Sequence, residues 1–128
     1  MVSASAPTLS EFATVFVTHD MSLVSHFSDR LAVMYAGQVV EIGDTRTIFG
    51  DPKHPYTVGL MRSFPSISGT LQPLSGIPGT PPDLARPPIG CRFHPRCPHV
   101  MERCRTEPPD FYQRERDLVR CFLFDERR

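Results

Sequence analysis

The chain of 128 residues has no surplus of charge, with fourteen lysines and arginines against fourteen aspartates and glutamates. A neutral balance gives no general case for nucleic-acid binding, which rests on a positive field. There is also no apolar run near the roughly 20 residues that cross a bilayer. The opening M-V-S-A-S-A-P-T-L-S-E has neither the basic nor the long apolar region of a secretory signal. A cytosolic chain is therefore expected. Missing too is any G-x-x-x-x-G-K-[ST] run, so no loop of backbone N–H groups is present to cradle phosphates and no lysine to reach them. The apolar share lies slightly under the globular average, and the length suits one small domain or two sub-domain pieces.

Proline and cysteine are present in an uneven pattern. Eleven of the fourteen prolines fall between Pro65 and Pro109, so a conventional core is expected in the first half. The second half then needs a metal or disulfides to hold it. All four cysteines, Cys91, Cys97, Cys104 and Cys121, lie between Gly90 and Cys121 with the spacing C-x5-C-x6-C-x16-C. In the cytosol such a set argues for metal ligation over disulfides. Unmodified buried thiols are the competing reading, but core cysteines would share apolar periodic positions, and these stand among prolines and arginines. Zinc sites usually contain close C-x2–4-C pairs, which are absent, and the spacing also departs from the bacterial ferredoxin run. Spacing alone leaves zinc and iron–sulfur both open. Arg92, Arg96, Arg103 and Arg105 are placed to offset the charge of an anionic thiolate site, with a solvated face as the plainer alternative.

Residues 1–11 have no period and are expected to be disordered. F-A-T-V-F-V, Phe12 to Val17, predicts a buried strand. Asp20 is placed to cap a helix from Met21 to Ser28 with Leu23, Val24 and Phe27 on one face. Leu31–Tyr35 and Gln38–Ile42, linked by Ala36-Gly37, predict a hairpin, and Gly43-Asp44 open a short helix through Phe49. His54 starts a further helix with Pro55 at its first position. Tyr56, Leu60 and Phe64 share a face of it, and Pro65 stops it. Ser66 to Pro88 reads as an extended linker, with a short strand near Leu74 to Ile77, and the tail after Phe124 should fray. His26 is expected to face solvent, and His94 and His99 to surround the thiols rather than replace them.

From V-F-V-T-H-D-M-S-L-V-S-H-F-S-D-R-L-A-V-M-Y-A-G-Q-V-V-E-I-G the chain resembles the last third of an ABC transporter ATPase domain. H-P-Y-T-V-G-L-M-R-S-F-P and G-C-R-F-H-P-R-C-P-H-V-M-E-R-C narrow the resemblance to the ATP-binding subunits of oligopeptide/dipeptide importers. The resemblance implies an α/β remnant of the nucleotide-binding domain over residues 12–50. It implies an irregular, proline-rich, cysteine-ligated extension over residues 51–128. It places His19 on the switch histidine that contacts the terminal phosphate, and Cys91, Cys97, Cys104 and Cys121 on the ligands of a [4Fe-4S] cluster, with zinc as the alternative. ATP and magnesium belong to the intact subunit, which would dock on the inner face of the membrane against permease subunits and a second ATPase. No nucleic acid is implied. The glutamine loop, signature motif and Walker B strand belong upstream of His19, and none is found in the eighteen residues there. The expectation is a fragment that does not hydrolyse ATP alone. The alternative is a non-enzymatic metal-binding module that acts on an intact importer.

Overall fold

A two-residue turn starts the sheet. In the computed structural model, which describes residues 13–63 and 76–126, Ala36 and Gly37 both hold positive φ, 48° and 76°. Two left-handed residues in succession twist the backbone as the flanking strands do. They join β1 (Arg30–Tyr35) to β2 (Gln38–Asp44) as an antiparallel pair, with Tyr35 opposite Gln38. The expected hairpin is present and runs one residue further at the start of β1 and two at the end of β2. Val33, Tyr35 and Val40 reach the core beside Ile48 and Phe93.

Helix α1 (Met21–Phe27) begins where its cap predicts, since Asp20 Oδ1 accepts the N–H groups of Ser22 and Leu23 at 2.9 and 3.3 Å. Of its apolar face only Val24 is buried. The run before it corrects the sequence expectation. Ala13 to Val17 forms no strand, and Val15 and Val17 are 91% and 94% exposed. A strand persists only where its N–H and C=O groups find a ladder, and among the described residues no strand lies beside this run. Phe12 falls outside the described residues.

Helix α2 (Thr45–Gly50) follows β2 directly, and α3 (Pro55–Arg62) has Pro55 in its first turn, as expected. Tyr56, Leu60 and Met61 pack on the core. Phe64, Pro65, Leu71 and Leu74 lie outside the described residues. Ile77 does reach the core, though residues 76 and 77 form no strand.

The extension is less irregular than its composition suggests. After a short 3-10 turn at His94–Arg96 and the one-turn α4 (Arg103–Thr106), it makes a second hairpin from β3 (Tyr112–Arg114) and β4 (Asp117–Val119). β4 pairs with β2, Val119 opposite Glu41, so a four-stranded antiparallel sheet runs β1-β2-β4-β3. The result is a small α/β unit whose sheet draws strands from both sides of residue 50. The tail is also tied down further than expected. Asp125 is buried, paired with Arg103 at 2.9 Å and accepting from the Tyr112 hydroxyl at 3.3 Å.

Candidate metal centre and the joint beneath it

Glu41 is wholly buried on β2, where a surface glutamate would be the ordinary expectation. Its carboxylate accepts the backbone N–H of Lys53 at 2.7 Å and of His54 at 3.0 Å. These donors lead into α3, whose first N–H groups have no partner within the helix, and a negative charge is favoured there. Burial raises its pKa, and the Asp117 carboxylate adds to that rise. Asp117 on β4 is 2% exposed and also held above its ordinary range, chiefly by burial.

The next residue, His54, is 1% exposed. Its Nδ1 accepts the Tyr56 N–H at 3.0 Å, which makes the imidazole the N-cap of α3. The Arg120 backbone favours the protonated ring, against the larger effect of burial. H-P-Y is thus a joint: a histidine cap, a proline with no N–H to lose, and a tyrosine that joins an aromatic cluster. Phe93 lies at the centre of that cluster, with ring centroids 5.1 Å from Tyr35, 5.6 Å from Tyr56 and 5.8 Å from His54.

Burial lowers the His54 pKa from 6.5 to about 4. The folded imidazole is therefore neutral where the unfolded one takes a proton. Its contribution is complete above pH 6.5 and is lost as pH falls toward 4. Between pH 7 and pH 5 the loss is about 2 kcal/mol. Glu41 and Asp117, with raised pKa, act in the opposite direction. The His54 part is therefore read as a difference: urea midpoints of the wild type should fall more between pH 7 and 5 than those of His54→Asn.

Phe93 sits between Cys91 and Cys97, and four main-chain bonds shape the cysteine segment around it. Cys91 N–H donates to Cys104 O at 2.9 Å, His94 N–H to Cys91 O at 3.0 Å, Arg96 N–H to Phe93 O at 3.0 Å and Cys97 N–H to His94 O at 3.3 Å. Gly90 permits the approach of the Cys91 and Cys104 segments. Its φ is +77°, and a Cβ there would stand 2.4 Å from the Cys104 carbonyl oxygen. Gly90→Ala is expected to cost about 1–3 kcal/mol through strain and displaced backbone. It should be measured as a lower urea midpoint with faster alkylation of Cys91.

All four thiols are free; Cys104 and Cys121 are buried, and Cys91 and Cys97 half-buried. Burial is the first cause that raises the Cys91 and Cys97 pKa and pushes Cys121 up to about 12. Neighbouring thiols add to the rise, Cys104 at Cys91, Cys91 and Cys104 at Cys97, and all three others at Cys121. Backbone N–H groups favour the thiolate form at three of them: Phe93 and His94 at Cys91, His99 at Cys97, Leu123 at Cys121. Among the described residues no group of three or more His, Cys, Asp or Glu side chains stands close enough to hold a metal ion as placed. The donor types nevertheless fit a thiophilic centre, four free thiols with backbone N–H groups that favour the thiolate form at three of them.

Arg92, Arg96, Arg103 and Arg105 each have a partner of their own in the structure. Arg92 donates to Ala36 O at the β1–β2 turn. Arg96 donates to Ile77 O and Pro78 O, both at 2.9 Å. Arg103 pairs with Asp125 and covers the Phe122 ring at 3.9 Å, while Arg105 faces Glu102 at 3.8 Å. They fasten the extension to the sheet and to itself. His94 Nδ1 bonds the Cys91 carbonyl at 2.9 Å, a surrounding role as expected, and His99 and His26 are exposed. His19 lies in the exposed bend before α1 and makes no hydrogen bond or ion pair among the described residues. The structure does not bring it to the cysteines.

The model of the family described as "Oligopeptide/dipeptide transporter, C-terminal region" matches residues 40–104. That span holds Glu41, the H-P-Y joint and three of the thiols; Cys121 and His19 fall outside it. The chain is 43% identical over 115 residues to the dipeptide transport ATP-binding protein DppD of Caldanaerobacter subterraneus subsp. tengcongensis, covering 89% of this chain and 35% of that protein. Over 97 residues it is 44% identical to the oligopeptide transport ATP-binding protein OppD of Escherichia coli, covering 76% and 29%. Over 118 residues it is 43% identical to DppD of Bacillus subtilis, covering 91% and 35%. The chain spans about a third of the length of these curated relatives. With the family region matched over half its length, and with that region built around the H-P-Y joint, the chain belongs to the oligopeptide/dipeptide transporter family and carries its C-terminal region.

Proposed function

We propose that the chain is a C-terminal part of the ATP-binding subunit of a peptide importer, and that the activity it serves is ATP-driven uptake of oligopeptides or dipeptides. The observation that carries this is the family region itself, residues 40–104, shared with relatives named as ATP-binding proteins of peptide transport. In that setting the subunit sits peripherally on the inner face of the membrane, against permease subunits and a second ATPase. Among the described residues no helix is long and apolar enough to cross a membrane. These 128 residues hold no phosphate-binding loop, and alone they do not hydrolyse ATP. His19 would act as switch histidine only beside a phosphate cradle supplied by the rest of an ATPase domain.

Cys91, Cys97, Cys104 and Cys121 would hold a [4Fe-4S] cluster, with zinc as the alternative occupant. When bound, such a group supplies a four-point cross-link in a segment with little apolar content. This chain's own part is to offer backbone N–H groups to the sulfurs and, at Gly90, to let two segments approach. The backbone N–H groups that favour the thiolate form at Cys91, Cys97 and Cys121 support that reading.

A chimera tests the functional assignment. Residues 40–126 would replace the corresponding region of the Escherichia coli OppD, and peptide uptake would be measured in cells. Uptake within a few-fold of the parent is expected. A chimera that folds and reaches the membrane without importing peptides would overturn the assignment.

A further inference from the structure

A cavity lies between α3, residues 76–79 and the turn that ends at His99. Its volume is about 540 Å³, inside the span of roughly 300–1,000 Å³ found for small-molecule sites. Val58, Ile77, Phe93 and Leu123 give it apolar walls. Its charged and titratable nitrogens come from Lys53, Arg62, Arg96 and His99, and among the described residues no aspartate or glutamate lines it. Residues 64–75, F-P-S-I-S-G-T-L-Q-P-L-S, lie outside the described residues and contain no charged residue. Lys53 is paired with the exposed Asp51. Arg62 and His99 are exposed, and their side chains make no hydrogen bond or ion pair among the described residues. The walls are tied together. Arg96 donates to Ile77 O and Pro78 O, both at 2.9 Å. Gly59 on α3 lets Ile77 come close, since a Cβ there would stand 2.7 Å from Ile77 Cγ1.

We propose that this cavity binds an amphipathic oxyanion, a carboxylate or phosphate head on a short apolar body. The body lies against Ile77, Phe93 and Leu123, and the head faces Arg62 and His99 at the mouth. A guanidinium offers two parallel N–H donors to the oxygens of either head group. Apolar walls that exclude water strengthen such a bond. Arg96 has donors committed to the Ile77 and Pro78 carbonyls, so it adds positive field and Arg62 makes the bond. A cationic analogue of the same shape meets the charges of Lys53, Arg62 and Arg96 and is rejected, while a neutral one leaves Arg62 without a partner. No sulfur atom and no nucleotide takes part, so binding here is independent of the metal centre and of the transport assignment.

The test is a titration of the isotope-labelled full chain, purified without oxygen, with octyl phosphate, octanoate, octanol and octyltrimethylammonium, followed by backbone amide shifts. Octyl phosphate and octanoate are expected to move Val58, Ile77, Gly79 and His99 saturably, and octanol and the cation to bind about 10-fold or more weakly. Arg62→Ala should weaken octyl phosphate about 5- to 10-fold, the effect of losing one charge-assisted bond. Val58→Phe keeps every cation and fills the cavity, so it should weaken both anions by a similar factor; urea midpoints check that each variant folds. Because lipids carry the same head group, phosphatidylglycerol vesicles form a second arm. Sedimentation with the vesicles that Val58→Phe abolishes would support the proposal with a lipid head group as the ligand. Saturable shifts without sedimentation would support it with a free anion. Absence of saturable shifts at these residues would overturn it, as would equal affinity for octanol and octyl phosphate. Undiminished binding of octyl phosphate by folded Val58→Phe would do the same, because it would place the anion on the charged surface outside the cavity.

Discussion

Phe93→Ala is expected to lower stability by about 3–5 kcal/mol, the range for truncating a buried aromatic ring. Phe93 is 2% exposed and has Tyr35, Tyr56 and His54 around it, so no side chain can swing in from the surface to fill the space. A domain of this size holds only about 5–15 kcal/mol in all. The variant should therefore unfold at much lower urea, and its Cys91 and Cys97 thiols should alkylate faster even in the folded state, because Phe93 joins their turn to the core. A change below about 1 kcal/mol would mean that the extension is not anchored through this ring.

Glu41→Ala should be comparably severe, about 2–5 kcal/mol, for a different reason. The carboxylate is the acceptor for the N–H groups of Lys53 and His54, and alanine leaves both without one where Glu41 is wholly buried. Glu41→Gln isolates the cause. Its carbonyl oxygen still accepts one of the two, and removing the charge relieves the repulsion with Asp117. The glutamine variant should thus retain a large part of what alanine loses, as read from paired urea midpoints. Equal losses from both would show that charge, rather than satisfaction of the N–H groups, is what the joint requires.

Features that depend on a few adjacent residues were legible in the sequence. Ala36-Gly37 sets a turn because two left-handed residues in succession suit a two-residue hairpin. Asp20 and His54-Pro55 mark helix starts because a cap and a proline act within one turn. Partners distant along the chain were not legible. The run Ala13–Val17 has the composition of a strand, but composition does not supply a ladder, and those residues are exposed. β3 and β4 have three residues each, too few to display alternation, and Glu115 takes the positive φ of their turn without being glycine. Nothing adjacent to Glu41 in the sequence marks it as buried, since its two donors come from twelve and thirteen residues away. Arg92 and Arg96 were read from their neighbours in sequence and proved to bond carbonyls as far off as Ala36 and Ile77. The four cysteines stood out as a set because their surroundings of proline and arginine are wrong for a core. Their support by Phe93, Gly90 and the H-P-Y joint became visible only in three dimensions.

The most direct measurement is iron, inorganic sulfide and zinc analysis of the chain purified without oxygen, together with a count of alkylatable thiols before and after chelation. About four iron and four sulfide per chain are expected, as a [4Fe-4S] cluster requires, with all four cysteines shielded until the metal is removed. Zinc bound by the same shielded thiols would contradict the cluster assignment. A folded, metal-free chain whose cysteines alkylate without chelation would contradict the metal centre altogether.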